Sequence, residues 1–211
     1  MKIASLLSAV SLASFCQGAT LVSFTFPASN ALVATSVATN VSSTNLALTT
    51  GGNIETNITF GTYFPNEPYI EETGGWAATS QSSAKAFTLT LTAAAGYTID
   101  ITNVSFNAYA TAAGPSAIGV TVGSTAVTAV NAPNASLVSV DASVTGQDGL
   151  SSVTILVQGW LNGSRTTAGS GAFRLDDLVV SGNVNAIPVP EPGFALLGGL
   201  GILGIFRRRR Y

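Results

Sequence analysis

Apolar and polar residues alternate with period two through the middle of the chain. In Phe87-Thr88-Leu89-Thr90-Leu91-Thr92 three apolar side chains point one way and three threonines the other, the pattern of a half-buried β-strand. Ile99-Asp100-Ile101 starts another strand. Its phase slips at Asn103, because Val104, Phe106 and Ala108 form the next inward set, and a slip of one residue predicts a β-bulge there. Val153, Ile155 and Val157 mark a third strand, and Val120 and Val122 a shorter one. Leu21-Val22-Ser23-Phe24-Thr25-Phe26 opens the series. Gly51-Gly52, Gly74-Gly75, Gly114-Pro115, Asp148-Gly149 and Asn162-Gly163 separate these runs as turns. No stretch carries a 3.6-residue apolar period. The pattern predicts an all-β domain over residues 20–183, a jelly-roll-like antiparallel β-sandwich.

The closing strand of that domain is read from Gly171 to Gly182. Strict alternation puts Phe173, Leu175, Asp177 and Val179 on one face, so Asp177 is expected in apolar company, where a carboxylate needs hydrogen bonds or a cation. Arg174 and Asp176 fall on the other face at the spacing of a surface ion pair.

Both ends of the chain break the pattern. Residues 1–19 run from Lys2 through a short apolar stretch to small residues at Cys16, Gly18 and Ala19, the layout of a secretory signal peptide. Cleavage after Gly18 puts small side chains at both critical positions; cleavage after Ala19 is the alternative. Beyond a linker at 184–189, the last segment has three parts. Pro190-Glu191-Pro192 resists helix and sheet and stays extended. An uncharged run of 14 residues follows at 193–206, five of them Gly. As a helix it is about 21 Å long, against about 30 Å of bilayer hydrocarbon. Such a short segment suits temporary anchoring in a membrane better than permanent anchoring, helped by arginine snorkelling and local thinning. Arg207, Arg208, Arg209 and Arg210 close the segment and resist crossing, leaving the body outside.

The order of Pro-Glu-Pro, Gly-rich apolar run and terminal Arg cluster resembles the PEP-CTERM sorting signal, over residues 190–211. The resemblance implies Sec-type export followed by recognition of Pro190, Glu191 and Pro192 by an exosortase-like membrane protease that removes the tail. It also implies a place at the cell surface or in an extracellular matrix associated with exopolysaccharide. The Asp176-Asp177 closing strand is similar to those of jelly-roll carbohydrate-binding modules. That second resemblance implies a structural Ca²⁺ held with the help of Asp176 and Asp177. Satisfaction of the carboxylate by loop N–H groups, or by Arg174 or Arg165, is the other reading.

Composition narrows the chemistry. The chain has no His, and its one Cys is Cys16. Ser-His-Asp and Cys-His catalysis are therefore absent. Residues 20–189 carry three basic and nine acidic side chains, a net charge of −6, which does not invite nucleic acid. Ser82 stands three before Lys85, the spacing of a Ser-Lys pair, but the stretch leads into a strand, and Lys85 reads as an exposed guard at a strand edge. Glu67, Glu71 and Glu72 lie in what reads as an exposed loop and form no evident acid pair. Tyr63, Tyr69 and Trp76 cluster near the same loop and could stack on sugar rings, or the two Trp, Trp76 and Trp160, could plug the ends of the sandwich. The sequence thus points to a non-enzymatic, exported structural or adhesive protein, with carbohydrate binding as the alternative.

Overall fold

The computed structural model describes residues 18–26, 32–49, 70–73, 76–132, 136–163 and 171–188. Twelve strands are found there: β1 (Ala19–Phe24), β2 (Ser36–Val37), β3 (Val41–Ser43), β4 (Ala47–Leu48), β5 (Ile70–Thr73), β6 (Lys85–Ala93), β7 (Tyr97–Ala110), β8 (Ala117–Val122), β9 (Thr125–Asn131), β10 (Leu137–Ser143), β11 (Ser152–Trp160) and β12 (Ala172–Ala186). The one helical turn among the described residues is a 3₁₀ turn, Gln81–Ser83. No described helix is long and apolar enough to cross a membrane. The signal-peptide segment 1–17 and the apolar run 193–206 lie outside the described residues.

The strands form two antiparallel sheets. One has the order β10-β7-β12-β1-β2, with β5 also pairing β12; the other has the order β3-β6-β11-β8-β9, with β4 also pairing β6. One buried cluster joins them. Phe24, Val104, Phe106, Leu175 and Val180 enter it from the first sheet, and Leu89, Leu91, Ile118, Val120, Ile155 and Val157 from the second. The alternation seen in β6, β7 and β11 is thus what seals the sandwich: their apolar sets face the core and their threonines and serines face out. Burying each large aliphatic side chain contributes about 1.5–3 kcal/mol.

Two irregularities decide which residues reach the surface. Asn103 lies opposite Ser181 and Ile101 opposite Gly182, so Thr102 is an extra residue in β7. The phase change is therefore real and falls one position before Asn103. The backbones are close there. A Cβ on Gly182 would collide with the carbonyl group of Asp100, so only glycine fits.

The second irregularity corrects the reading of the closing strand. Asp176 lies opposite Asn107 and Val179 opposite Ser105, so Asp177 and Leu178 both face Phe106. Asp177 takes φ 50°, in the left-handed region. This bulge flips the alternation. Leu178 and Val180 continue the inward set after Phe173 and Leu175, while Asp177 and Val179 are only half-buried. Asp177 is therefore not in apolar company. Asp176 is the buried carboxylate, 1% exposed, and does not lie on a solvent-exposed face.

Two further expectations change. Lys85 begins β6 opposite Gly159 of β11 and is half-buried, whereas the sequence predicts an exposed lysine. And β12 continues to Ala186, because Asn183, Val184, Asn185 and Ala186 pair with Asp100, Ile99, Thr98 and Tyr97. Residues 184–186, read from sequence as linker, belong to the sheet.

Candidate functional site

The outer face of β10, β7 and β12 carries the polar half of each strand. β7 presents Asn103, Ser105 and Asn107 at every second position; β10 presents Ser139 and Asp141; the bulge in β12 adds Asp177 and Val179. Pairing aligns them in rows. Ser139 lies beside Asn107, and Asp141 beside Ser105, with Val179 on the far side of Ser105. Ser105, Asn107, Ser139, Asp141, Asp177 and Val179 line an open cleft of about 400 Å³, floored by Phe106 and Val140.

Hydrogen bonds fix the side chains of this face. Asn103 Nδ2 donates to Asp141 Oδ1 at 2.6 Å. Asn107 Nδ2 lies 3.5 Å from Asp177 Oδ2, at the long limit of a bond. Ser139 Oγ donates to Asn107 Oδ1 at 2.8 Å. Each of these amides therefore directs an N–H towards a carboxylate, and the Ser139 proton goes to an amide oxygen. What remains for a visitor is mainly acceptor capacity on Asp141 and Asp177, together with the Ser105 hydroxyl. Such a face suits a ligand that brings hydroxyl protons.

Asp176 and Asp177 do not share a task. Asp177 N–H donates to Asp176 Oδ1 at 2.8 Å, which closes the turn of the bulge. Among the described residues no group of three or more metal-ligating side chains converges. Two carboxylates, one already bonded to a backbone N–H, fall well short of the roughly six to eight oxygens calcium takes. The pair alone does not fit a calcium site.

Trp76 is 1% exposed. Its ring centroid lies 5.2 Å from Phe173 and 6.4 Å from Phe87, and Lys85 Nζ lies 5.4 Å from its centroid. Neither face of the indole is open to a sugar. Trp160 is 8% exposed. Ser82 Oγ shares a hydrogen bond with Ser80 Oγ at 3.2 Å. Arg174 lies 5.4 Å from the Tyr109 ring centroid, in cation–π geometry. Glu71 and Glu72 sit on β5, in register with Arg174 and Phe173. Tyr63, Tyr69, Glu67, Arg165, Pro190, Glu191, Pro192 and Arg207–Arg210 lie outside the described residues.

The cleft was not singled out from sequence. Its signal is there in the period-two polar set Asn103, Ser105, Asn107, but every solvated strand shows such a set. Only the pairing of β7 with β10 turns two ordinary polar faces into one lined site.

Comparison with known proteins adds the following. Residues 188–210 match the PEP-CTERM protein-sorting motif. The chain carries that motif, beginning two residues after β12 ends. No curated protein matches the chain. Among solved structures, the chain is similar to the family 29 carbohydrate-binding module CBM29-2, at 9% identity over 79% of this chain and 93% of that one, with a TM-score of 0.38. It is also similar to the CBM22-1–CBM22-2 tandem of Paenibacillus barcinonensis Xyn10C, at 14% identity over 85% and 50%, TM-score 0.46. A third is the module CBM36 in complex with calcium and xylotriose, at 11% identity over 66% and 99%, TM-score 0.38. None of these likenesses bears on what this chain binds.

Proposed function

We propose that this is an exported, non-enzymatic surface or extracellular-matrix protein whose jelly-roll-like body is the cargo of its C-terminal sorting motif. The observation that carries this reading is the motif at 188–210, placed just beyond the sandwich. The signal peptide at 1–19 delivers the chain to Sec-type export. The apolar run at 193–206 holds it in the inner membrane, with the Arg cluster on the cytoplasmic side. An exosortase-like protease then acts at Pro190, Glu191 and Pro192. Strand order supports the jelly-roll reading: β1-β12-β7-β10 faces β3-β11-β8-β9, with β6 inserted beside β3. The test is mass spectrometry of chain recovered from the cell surface. The expected product lacks Tyr211 and the Arg cluster. Surface protein that is wholly uncleaved overturns the reading.

A second reading, glycan binding, rests on the cleft. Its hydroxyl, amide and carboxylate lining is the donor and acceptor chemistry that reads sugar hydroxyls, and its size suits a saccharide unit or two. Asp141 is exposed to solvent, whereas a general acid for glycoside hydrolysis works from a desolvated carboxyl, which favours binding over cleavage. An array of bacterial polysaccharides probed with wild-type chain and with Asp141→Ala decides it. Binding lost in the variant supports the cleft. No binding, or binding unchanged in the variant, removes it.

A further inference from the structure

We infer that the edge of β10 is a docking surface for a second copy of this chain, joined strand to strand in antiparallel register about Val140. The inference does not depend on the export or glycan readings.

Sheet edges expose unpaired backbone N–H and C=O groups, and proteins blunt them by shortness, bulges, Pro or Lys. Among the described residues, the edge strands follow this practice with one exception. β2 has two residues, β3 three, β4 two and β5 four. β9 is longer but bulged, since Val120 lies opposite Thr128 and Thr121 opposite Ala126, leaving Val127 extra. β10 has seven residues, all paired in unbroken register with β7. It contains no Pro, Lys or Gly. Among the described residues, β7 is its only strand partner. Leu137, at its start, is 51% exposed. This is a straight, unguarded template for strand addition.

The sequence of β10, Leu137-Val138-Ser139-Val140-Asp141-Ala142-Ser143, is suited to pairing with itself. Inward residues must meet inward residues, or every side chain would flip to the wrong face. Among the registers that satisfy this, one centred on Val140 alone pairs all seven positions. Val138 then meets Ala142 of the second copy, and Val140 meets Val140, which extends the apolar layer. On the outer face Ser139 meets Asp141 of the second copy, a small neutral side chain against a carboxylate, so no like charges face each other. Shifting the centre to Asp141 would set two like charges face to face. The one charge on this edge thus disfavours that shifted register instead of blocking the edge. Because Ser139 and Asp141 also line the cleft, the two clefts of such a pair would meet across the dyad.

The test is sedimentation velocity of the full-length chain in mild detergent, across a concentration series. Wild-type chain is expected to form a concentration-dependent dimer. Ser139→Asp places a carboxylate opposite Asp141 twice, by symmetry, and should weaken association by about tenfold, whereas Ser139→Lys should strengthen it by a similar factor. Ala129→Asp on β9 should leave the dimer unchanged. Circular dichroism melts of each variant exclude unfolding as the cause. A chain that stays monomeric throughout, a dimer indifferent to the charge at residue 139, or a dimer broken by Ala129→Asp overturns the inference.

Discussion

The indole of Trp76 meets the ring of Phe173 edge-on, with centroids 5.2 Å apart and planes at 78°. Phe87 completes the group, 5.4 Å from Phe173. Phe173 belongs to β12 and Phe87 to β6, so the indole links the two sheets. Trp76→Ala should cost about 3–5 kcal/mol by removing this buried volume. The measurement is a urea midpoint in the variant against wild type. A change below 1 kcal/mol would show that the indole is not a structural plug.

Gly182 is needed for a different reason. It faces the β7 bulge, where an added methyl group would lie inside the Asp100 carbonyl group. Backbone cannot yield as a flexible side chain can. Gly182→Ala should therefore destabilise by about 1–3 kcal/mol, as overpacking does. Gly96→Ala has open space around it, and its cost should come only from its positive φ of 83°. Thermal melts of both variants check the order.

Asp177 holds a left-handed backbone that β-branched residues resist. Asp177→Val should lose about 1–3 kcal/mol, while Asp177→Gly should stay within about 1 kcal/mol of wild type. Equilibrium denaturation of the pair separates a backbone role from a side-chain role. Equal losses in both would mean that the carboxylate, and not the bulge, is what stabilises this strand.

Gln158 is buried, 4% exposed, and fully engaged. Its Oε1 accepts from Thr121 Oγ1 at 2.6 Å and from Gln81 Nε2 at 3.2 Å, while its Nε2 donates to the Gln81 carbonyl at 2.8 Å. This amide ties the 3₁₀ turn to β11 and β8. Gln158→Ala leaves those partners without it and should cost about 1–3 kcal/mol. Hydrogen exchange should show faster opening around Gln81–Ser83 before any change in β12.

Much of this fold is legible in the sequence, because β6, β7 and β11 bury one face and solvate the other. Alternation reports such strands directly. It also reported the β7 bulge, since a phase slip leaves a trace when apolar residues stand on both sides of it. The β12 bulge left a misleading trace: Val179 is apolar yet points outward, so unbroken alternation from Phe173 looked sound and carried Asp177 inward. β10 was not legible as an element. Its inward positions, Val138, Val140 and Ala142, are separated only by small polar residues and one Asp, so the contrast between its two faces is weak. The short strands β2 to β5 hold too few residues for any period to show. The cleft stayed hidden with β10, because a site made by two strands exists only once their pairing is known.

β12 is paired with β7 from Phe173 to Ala186, and Ile187 N–H still donates to the Gly96 carbonyl after the strand ends. The polypeptide leading to the tail thus leaves from a strand that β7 holds up to its last residue. Any tug transmitted along that tail would run lengthwise down the strand, so many cross-strand bonds would resist together instead of opening one after another. An anchor at this end could bear mechanical load without unravelling the body it secures.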